Sequence, residues 1–393
     1  MKKKLKDVCI FYSGTGFPMK YQGDSYGDLP FYKVGDIADN AMIGNSFLDT
    51  CKNYISYDIA KKIKGTIVPK NVIVFAKIGE ALKLNRRCIT SSNCLIDNNV
   101  MGIGCNEKYL DLKYFYFFMK NLKMEKLAES TTVPSVRKTK LEEVFIEVPA
   151  MKLQLDISKI LGILQDIILY RQNQLVHMDN LVKARFVELF EKVKETCNVD
   201  YYIKELIAGK SLASDVECKN KVLKTGAASF DYFDGSQVKN LPINYNPKEE
   251  HLVHKGDIII SRMNTAELTG AAAYVWKVSN NVYIPDRLWK AVIRDGVNPI
   301  FLWNMLIQPF TKEQIQKVCS GTSGSMKNIS KSDMLGIRVK KVDAYLQNDF
   351  ATFVEQVNKS KFITYSHHKS IYTKPQLCCK MVIVNDFLNT KRF

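Results

Sequence analysis

The stretch "MKLQLDISKILGILQDIILYRQNQLVHMDNLVKARFVELFEK" (Met151–Lys192) decides how the rest of the chain is read. Its apolar residues fall at positions 153, 157, 160, 164, 168, 175, 178, 182, 186 and 189, in steps of three and four broken once at Arg171. That is helical spacing. No proline interrupts it, and Gly162 costs only about 1 kcal/mol against alanine. A helix of this length extends about 63 Å at about 1.5 Å per residue. A stripe so long cannot be covered within one compact domain; it predicts a second long helix laid against it, as in a coiled coil. "VDAYLQNDFATFVEQVNKS" (Val342–Ser360) supplies the candidate, with Leu346, Phe350, Phe353 and Val357 at matching spacing. The pattern fades near residue 362, and 363–393 form an atypical tail that carries Pro375 and no heptad order.

The segments on either side of the first helix resemble each other. "NVIVFAKIGEA" (Asn71–Ala81) aligns with "GDIIISRMNTA" (Gly256–Ala266), an offset of 185 residues. "VRKTKLEEVFIEVP" (Val136–Pro149) aligns with "KNISKSDMLGIRVK" (Lys327–Lys340), an offset of 191. Two offsets this close predict one module copied twice. Strand candidates are "VIVFA", "VFIEV", "DIIIS", "AAYVW" and "GIRVK". Residues 108–130 and 298–320 are helical in period and occupy corresponding places. The expected fold is α+β: two repeated mixed α/β modules, 1–150 and 195–341, joined through a spacer helix, 151–194, and a shortened second helix, 342–362.

Ten cysteines form no Cys-x-x-Cys pair, so reduced and mostly buried thiols are expected. No apolar run approaches the roughly 20 residues that span a bilayer, and "VCIFY" is too short for a signal-peptide core. The expectation is a cytoplasmic protein. Of the net charge of +17, residues 1–150 carry +7, 151–197 carry +1, 198–341 carry +6 and 342–393 carry +3. Two basic blocks around a neutral one point to a polyanion as partner.

Catalytic patterns are wanting. Gly209-Lys210-Ser211 ends like a P-loop, but Lys204 stands where that motif needs glycine. There is no G-x-S-x-G elbow. Pro285-Asp286 lacks the Glu-x-Lys that would complete a nuclease centre, and "PINYNP" (Pro242–Pro247) lacks the paired prolines of a DNA amino-methyltransferase pocket. Gly14-Thr15-Gly16 runs into Phe17-Pro18, and proline neither donates to a phosphate nor opens a helix N-terminus there, so a tight turn is expected. What remains is a set of basic and amide side chains on loops. Lys77, Lys83, Asn85, Arg86 and Arg87 follow the first module's strand, and Arg262 and Asn264 follow its counterpart, with Arg287 and Lys290 further on. Ser135, Arg137 and Lys138 are answered by Lys327 and Asn328. Arginine and lysine suit guanine, asparagine suits adenine, and the remainder would hold phosphates.

On "KLKDVCIFYSGTGFPMKYQG", "LPFYKVGDI", "FAKIGEALKLNRR", "VPSVRKTKLEEVFIEVP" and "KGDIIISRMNT", the chain resembles the specificity (S) subunits of type I restriction–modification systems over about residues 1–360. The resemblance implies two target-recognition domains on double-stranded DNA, each reading one half of an asymmetric split site, with two antiparallel helices as spacer. It implies a bacterial, non-enzymatic subunit that binds no cofactor itself. Two methyltransferase (M) subunits would carry S-adenosylmethionine, and restriction (R) subunits would bring ATP and Mg. Two rivals stay open: a DNA methyltransferase fused to its own reader, and a stand-alone sequence-specific DNA-binding protein.

Overall fold

The computed structural model describes residues 1–129, 133–323 and 326–361; the expected tail, 363–393, lies outside the described residues. The chain divides into two units, Met1–Asn173 and a second from Gln174 through residue 361.

In the first unit the strands Cys9–Ser13, Val100–Cys105, Val72–Ala76, Arg87–Thr90 and Phe47–Leu48 lie side by side in that order. Neighbours are antiparallel except the last pair, which is parallel. "VIVFA" is buried at every residue, as expected of a central strand covered on both faces. One face packs Ile73, Phe75 and Ile89 against Phe115 and Met119 of the helix Leu112–Asn121. The other packs Val72, Val74 and Cys88 against Ile37 of the helix Val34–Met42. A smaller sheet places Leu29–Tyr32 between Tyr54–Ile55, antiparallel, and Leu95–Ile96, parallel. Lys2–Lys4 closes the unit by pairing with Phe145–Glu147.

The second unit repeats the order of the first four of these strands. Ile203–Ile207, Leu288–Ile293, Ile258–Ser261 and Ala272–Tyr274 form an antiparallel sheet in that sequence. Lys221–Leu223 lies between Val238–Asn240, antiparallel, and Val282–Tyr283, parallel. Thr196–Asn198 pairs with Arg338–Lys340 to close it. Local chemistry sets the helix starts: Asp111 accepts from the Tyr114 amide, and Asn298 accepts from those of Ile300 and Phe301 ahead of Pro299 at the first helical position. The periodic stretch 298–320 is two helices rather than one, Pro299–Leu306 and Pro309–Val318. Pro309 has no N–H for the helical ladder and disfavours helical geometry at Gln308.

The long helix is continuous from Met151 to Phe190, 40 residues, ending two short of the expected Lys192. Within the first unit Ile157 packs on the core as the periodicity expects, whereas Ile160 is 54% exposed, and Gln154, Ser158 and Gln165 add polar contacts. Gln154, 1% exposed, accepts from the Asp111 amide and donates to the carbonyls of Tyr109 and Pro149. The helix is therefore held to its own module by amide and hydroxyl groups as well as by Ile157.

Within the second unit residues 174–190 follow the apolar expectation. Phe186 and Phe190 pack edge-on against Phe350, and Phe190 also meets Phe301, with centroids 4.8–5.5 Å apart across the cluster. Such ring pairs add about 0.5–1.5 kcal/mol each beyond their buried area. Phe350 belongs to the helix spanning 344–361, whose Asp349 meets Arg185 at 3.4 Å and whose Lys361 pairs with Asp179. Rising numbers on one helix meet falling numbers on the other, so the two run antiparallel.

Candidate nucleic-acid interface

Glycine explains the first motif. Thr15 forms a parallel bridge with Asp97, and a Cβ on Gly14 would lie 1.8 Å from the Asp97 carbonyl oxygen. Gly209 repeats the device, its Cβ position 1.9 Å from the Ile284 carbonyl oxygen. Both glycines serve close backbone approach, which accounts for Gly14 in the first motif and for Gly209 in the P-loop-like ending.

Beyond each strand "VIVFA" and "DIIIS" the chain leaves the main sheet and pairs with a second loop. In the first unit Ile78 bridges Ser135, Ser135 bridges Glu129, and the Gly79 amide donates to the Pro134 carbonyl. In the second unit Met263–Asn264 pairs with Met326–Asn328, which pairs with Ser320–Ser323. These lateral pairings, bridges in the first unit and a small sheet in the second, gather many of the expected contact residues. Lys77, Ser135 and Arg137 come together in one, and Arg262, Asn264, Lys327 and Asn328 in the other. Arg137 is exposed and holds Glu129 at 2.9 Å. Lys138 lies 3.6 Å from Glu142 and over the Phe11 ring. Arg262 donates from Nε to Asn328 Oδ1 at 3.3 Å and lays its guanidinium over Trp289, 5.8 Å from the ring centroid. Arg287 is exposed beside it, its carbonyl accepting from the Arg262 amide. Lys327 donates to the Gly321 carbonyl at 2.8 Å.

Burial corrects one expected contact, Arg87, and three more, Asn85, Asn264 and Lys290, have partners within the protein. Arg87 is 2% exposed, and its two Nη groups bond the Asn85 carbonyl, Asn85 Oδ1 and the Leu122 carbonyl. Burial pulls its pKa down to about 10. It ties the strand to the end of the helix Leu112–Asn121 and offers DNA nothing. Asn85 is spent in the same knot: its oxygen also accepts from the Met124 amide, and its Nδ2 donates to the Lys120 carbonyl. Asn264 bonds Ser229, Ser261 and the Thr265 amide, so it shapes the turn. Lys290 folds back to donate to the Leu252 carbonyl. Hydrogen-bonding capacity decides each case, and spacing alone carries no sign of it. Arg86 and Lys77 are half-exposed with no side-chain partner among the described residues, and Lys83 is exposed with Glu80 at 2.7 Å.

Sequence reading missed Gln154 and also Gln347, which stands at the corresponding place of the second helix. Gln347 is 3% exposed, accepts from the Asn298 amide and donates to the Val342 carbonyl. The signal was there: Leu-Gln occurs at 153–154 and again at 346–347, just inside each helix start.

Residues 1–176 match the family model of the type I restriction modification DNA specificity domain. The EcoEI type I restriction enzyme specificity subunit of Escherichia coli is 26% identical over 146 residues, covering 36% of this chain and 25% of that protein. A putative type I restriction enzyme specificity subunit of Haemophilus influenzae is 31% identical over 149 residues, 36% of this chain and 34% of that one. The matches thus span about a quarter to a third of the length of these relatives. In fold the likeness runs the whole length: the crystal structure of a type I restriction-modification S subunit from M. genitalium aligns with a TM-score of 0.55 and 13% identity, covering 95% of this chain and 93% of that one. The pairing that carries basic side chains beside the main sheet thus lies, in the first unit, within residues 1–176, the part of the chain that is similar to the type I restriction modification DNA specificity domain.

Proposed function

We propose that this chain is the DNA-recognition subunit of a type I restriction–modification complex. Each unit acts as a target-recognition module that reads one half of an asymmetric, bipartite site in double-stranded DNA, and the chain brings methyltransferase and restriction subunits to that site. The observation that carries this reading is the recurrence of one sheet order, with cationic loops lifted from it at the same place, in two units whose loop sequences differ. A repeated frame with unlike contact residues suits the reading of two unlike half-sites. In this reading the long helix and the helix 344–361 act as a coiled-coil spacer between the modules, as half-site spacing is set in dimeric DNA readers. Apolar residues left exposed along the long helix, among them Leu155, Ile163 and Tyr170, suit docking of two methyltransferase subunits helix against helix. Those partners would bring S-adenosylmethionine, and restriction subunits ATP and Mg.

The test is to express the chain with its methyltransferase partner and sequence the methylated DNA. Two unlike base runs separated by a fixed gap are expected; a single continuous motif, or none, overturns the reading. Labelled S-adenosylmethionine bound by the purified chain alone would favour the methyltransferase–reader fusion. A sequence-specific footprint from the chain alone would favour a stand-alone binder.

A further inference from the structure

Lys77 and Arg262 occupy one position in two modules. Each is the first residue beyond its strand, Val72–Ala76 or Ile258–Ser261. The Lys77 amide donates to the Asn99 carbonyl, and the Arg262 amide to that of Arg287, at 2.9 and 3.0 Å. Asn99 and Arg287 each immediately precede the equivalent strand, Val100–Cys105 or Leu288–Ile293. The Lys77 carbonyl accepts from Val136 at 2.9 Å, and the Arg262 carbonyl from Ile329 at 3.2 Å. Val136 and Ile329 each stand two residues before the equivalent short helix, Lys138–Glu142 or Lys331–Leu335. The same pair of main-chain bonds therefore aims both side chains from the same point of the frame. Around them the residues differ: Ile78-Gly79 against Met263-Asn264, and Ser135 against Asn328.

We infer that Lys77 and Arg262 are equivalent phosphate anchors that seat each module on the DNA backbone and read no base. The inference rests on the DNA-recognition reading and divides its labour. Loops that read unlike base runs have no common base edge to contact, whereas a phosphate is present at every step of any duplex. Lysine and arginine are alike as charges and unlike as hydrogen-bond forks, so a position that takes either one suits a charge contact. Among the described residues neither Lys77 Nζ nor the Nη groups of Arg262 has a hydrogen-bond partner, while Asn328 and Trp289 hold the stem and face of Arg262.

The test is binding of the full-length chain to a random-sequence duplex of about 40 base pairs across a salt series, read by fluorescence anisotropy. Each of K77Q and R262Q removes one contact and lowers the slope of log affinity against log salt by about 0.9. Between about 50 and 200 mM salt each variant then loses about 3.5-fold less affinity than the parent does. K77R and R262K retain the parent slope. The methylation motif of the complex stays unchanged in all four. An unchanged slope in K77Q and R262Q, beside a normal parent slope, overturns the anchor. So does a motif altered at one base by R262K, which is the mark of a base reader. A parent chain with no salt-dependent affinity overturns the DNA-recognition reading itself.

Discussion

Replacing Gln347 with alanine tests how the second module grips its helix. Gln347 is 3% exposed and makes two hydrogen bonds, accepting from the Asn298 amide at 3.0 Å and donating to the Val342 carbonyl at 2.8 Å. The Asn298 side chain cannot step in, because its oxygen already serves the amides of Ile300 and Phe301. A buried N–H left without a partner costs about 1–3 kcal/mol, and the lost bond to Val342 adds about 1. The expected destabilisation is therefore about 2–4 kcal/mol. The three tryptophans of the chain, Trp276, Trp289 and Trp303, all lie in the second unit, so intrinsic fluorescence reports on it in urea. With a slope of about 2–3 kcal/mol per molar, the midpoint falls by about 1 M. Asn348→Ala is the control: it removes an exposed bond to Asn298 Nδ2 one residue away and should change stability by less than about 0.5 kcal/mol. Equal midpoints for the two variants would refute this grip.

Gly14→Ala and Gly209→Ala each drive a Cβ into a carbonyl oxygen, at 1.8 and 1.9 Å, and should cost more than about 3 kcal/mol, seen as loss of soluble protein or a collapsed thermal midpoint. Arg87→Ala strips three hydrogen bonds from a buried knot and should destabilise by about 2–4 kcal/mol while leaving the salt slope of DNA binding unchanged; a lowered slope would return Arg87 to the interface. Glu143 is held down to a pKa of about 2 by hydrogen bonds from Lys4 and Lys6. Its folded pKa lies below its unfolded one, so its stabilisation is full above the ordinary carboxyl range and is lost as pH falls through about 2. Glu143→Gln should flatten that acid limb in thermal melts taken from neutral to low pH.

The long helix and the two matching strands were legible because both are patterns of residue type at fixed spacing. Apolar periodicity located Met151–Phe190 within two residues, and two aligned blocks located equivalent strands. Which side of the helix faces inward was less legible. Where the facing surface offers main-chain groups, glutamine and serine make the contact, and hydropathy marks those as outward residues. The interface divided in the same way. Arg86 and Arg87 are neighbours of one chemistry, yet Arg87 opens the buried strand Arg87–Thr90 and turns inward to carbonyls that no sequence pattern displays. Pro309 could be read as a helix break directly, whereas the role of Trp289 beneath Arg262 needed the strand register to be seen.

Gln154 and Gln347 each fasten a helix using only main-chain atoms as partners: Asp111 N, Tyr109 O and Pro149 O for one, Asn298 N and Val342 O for the other. A joint that ignores the side chains it grips is indifferent to their mutation. At these two joints, substitutions of Asp111, Tyr109, Asn298 or Val342 that keep the backbone path leave the glutamine's hydrogen bonds in place.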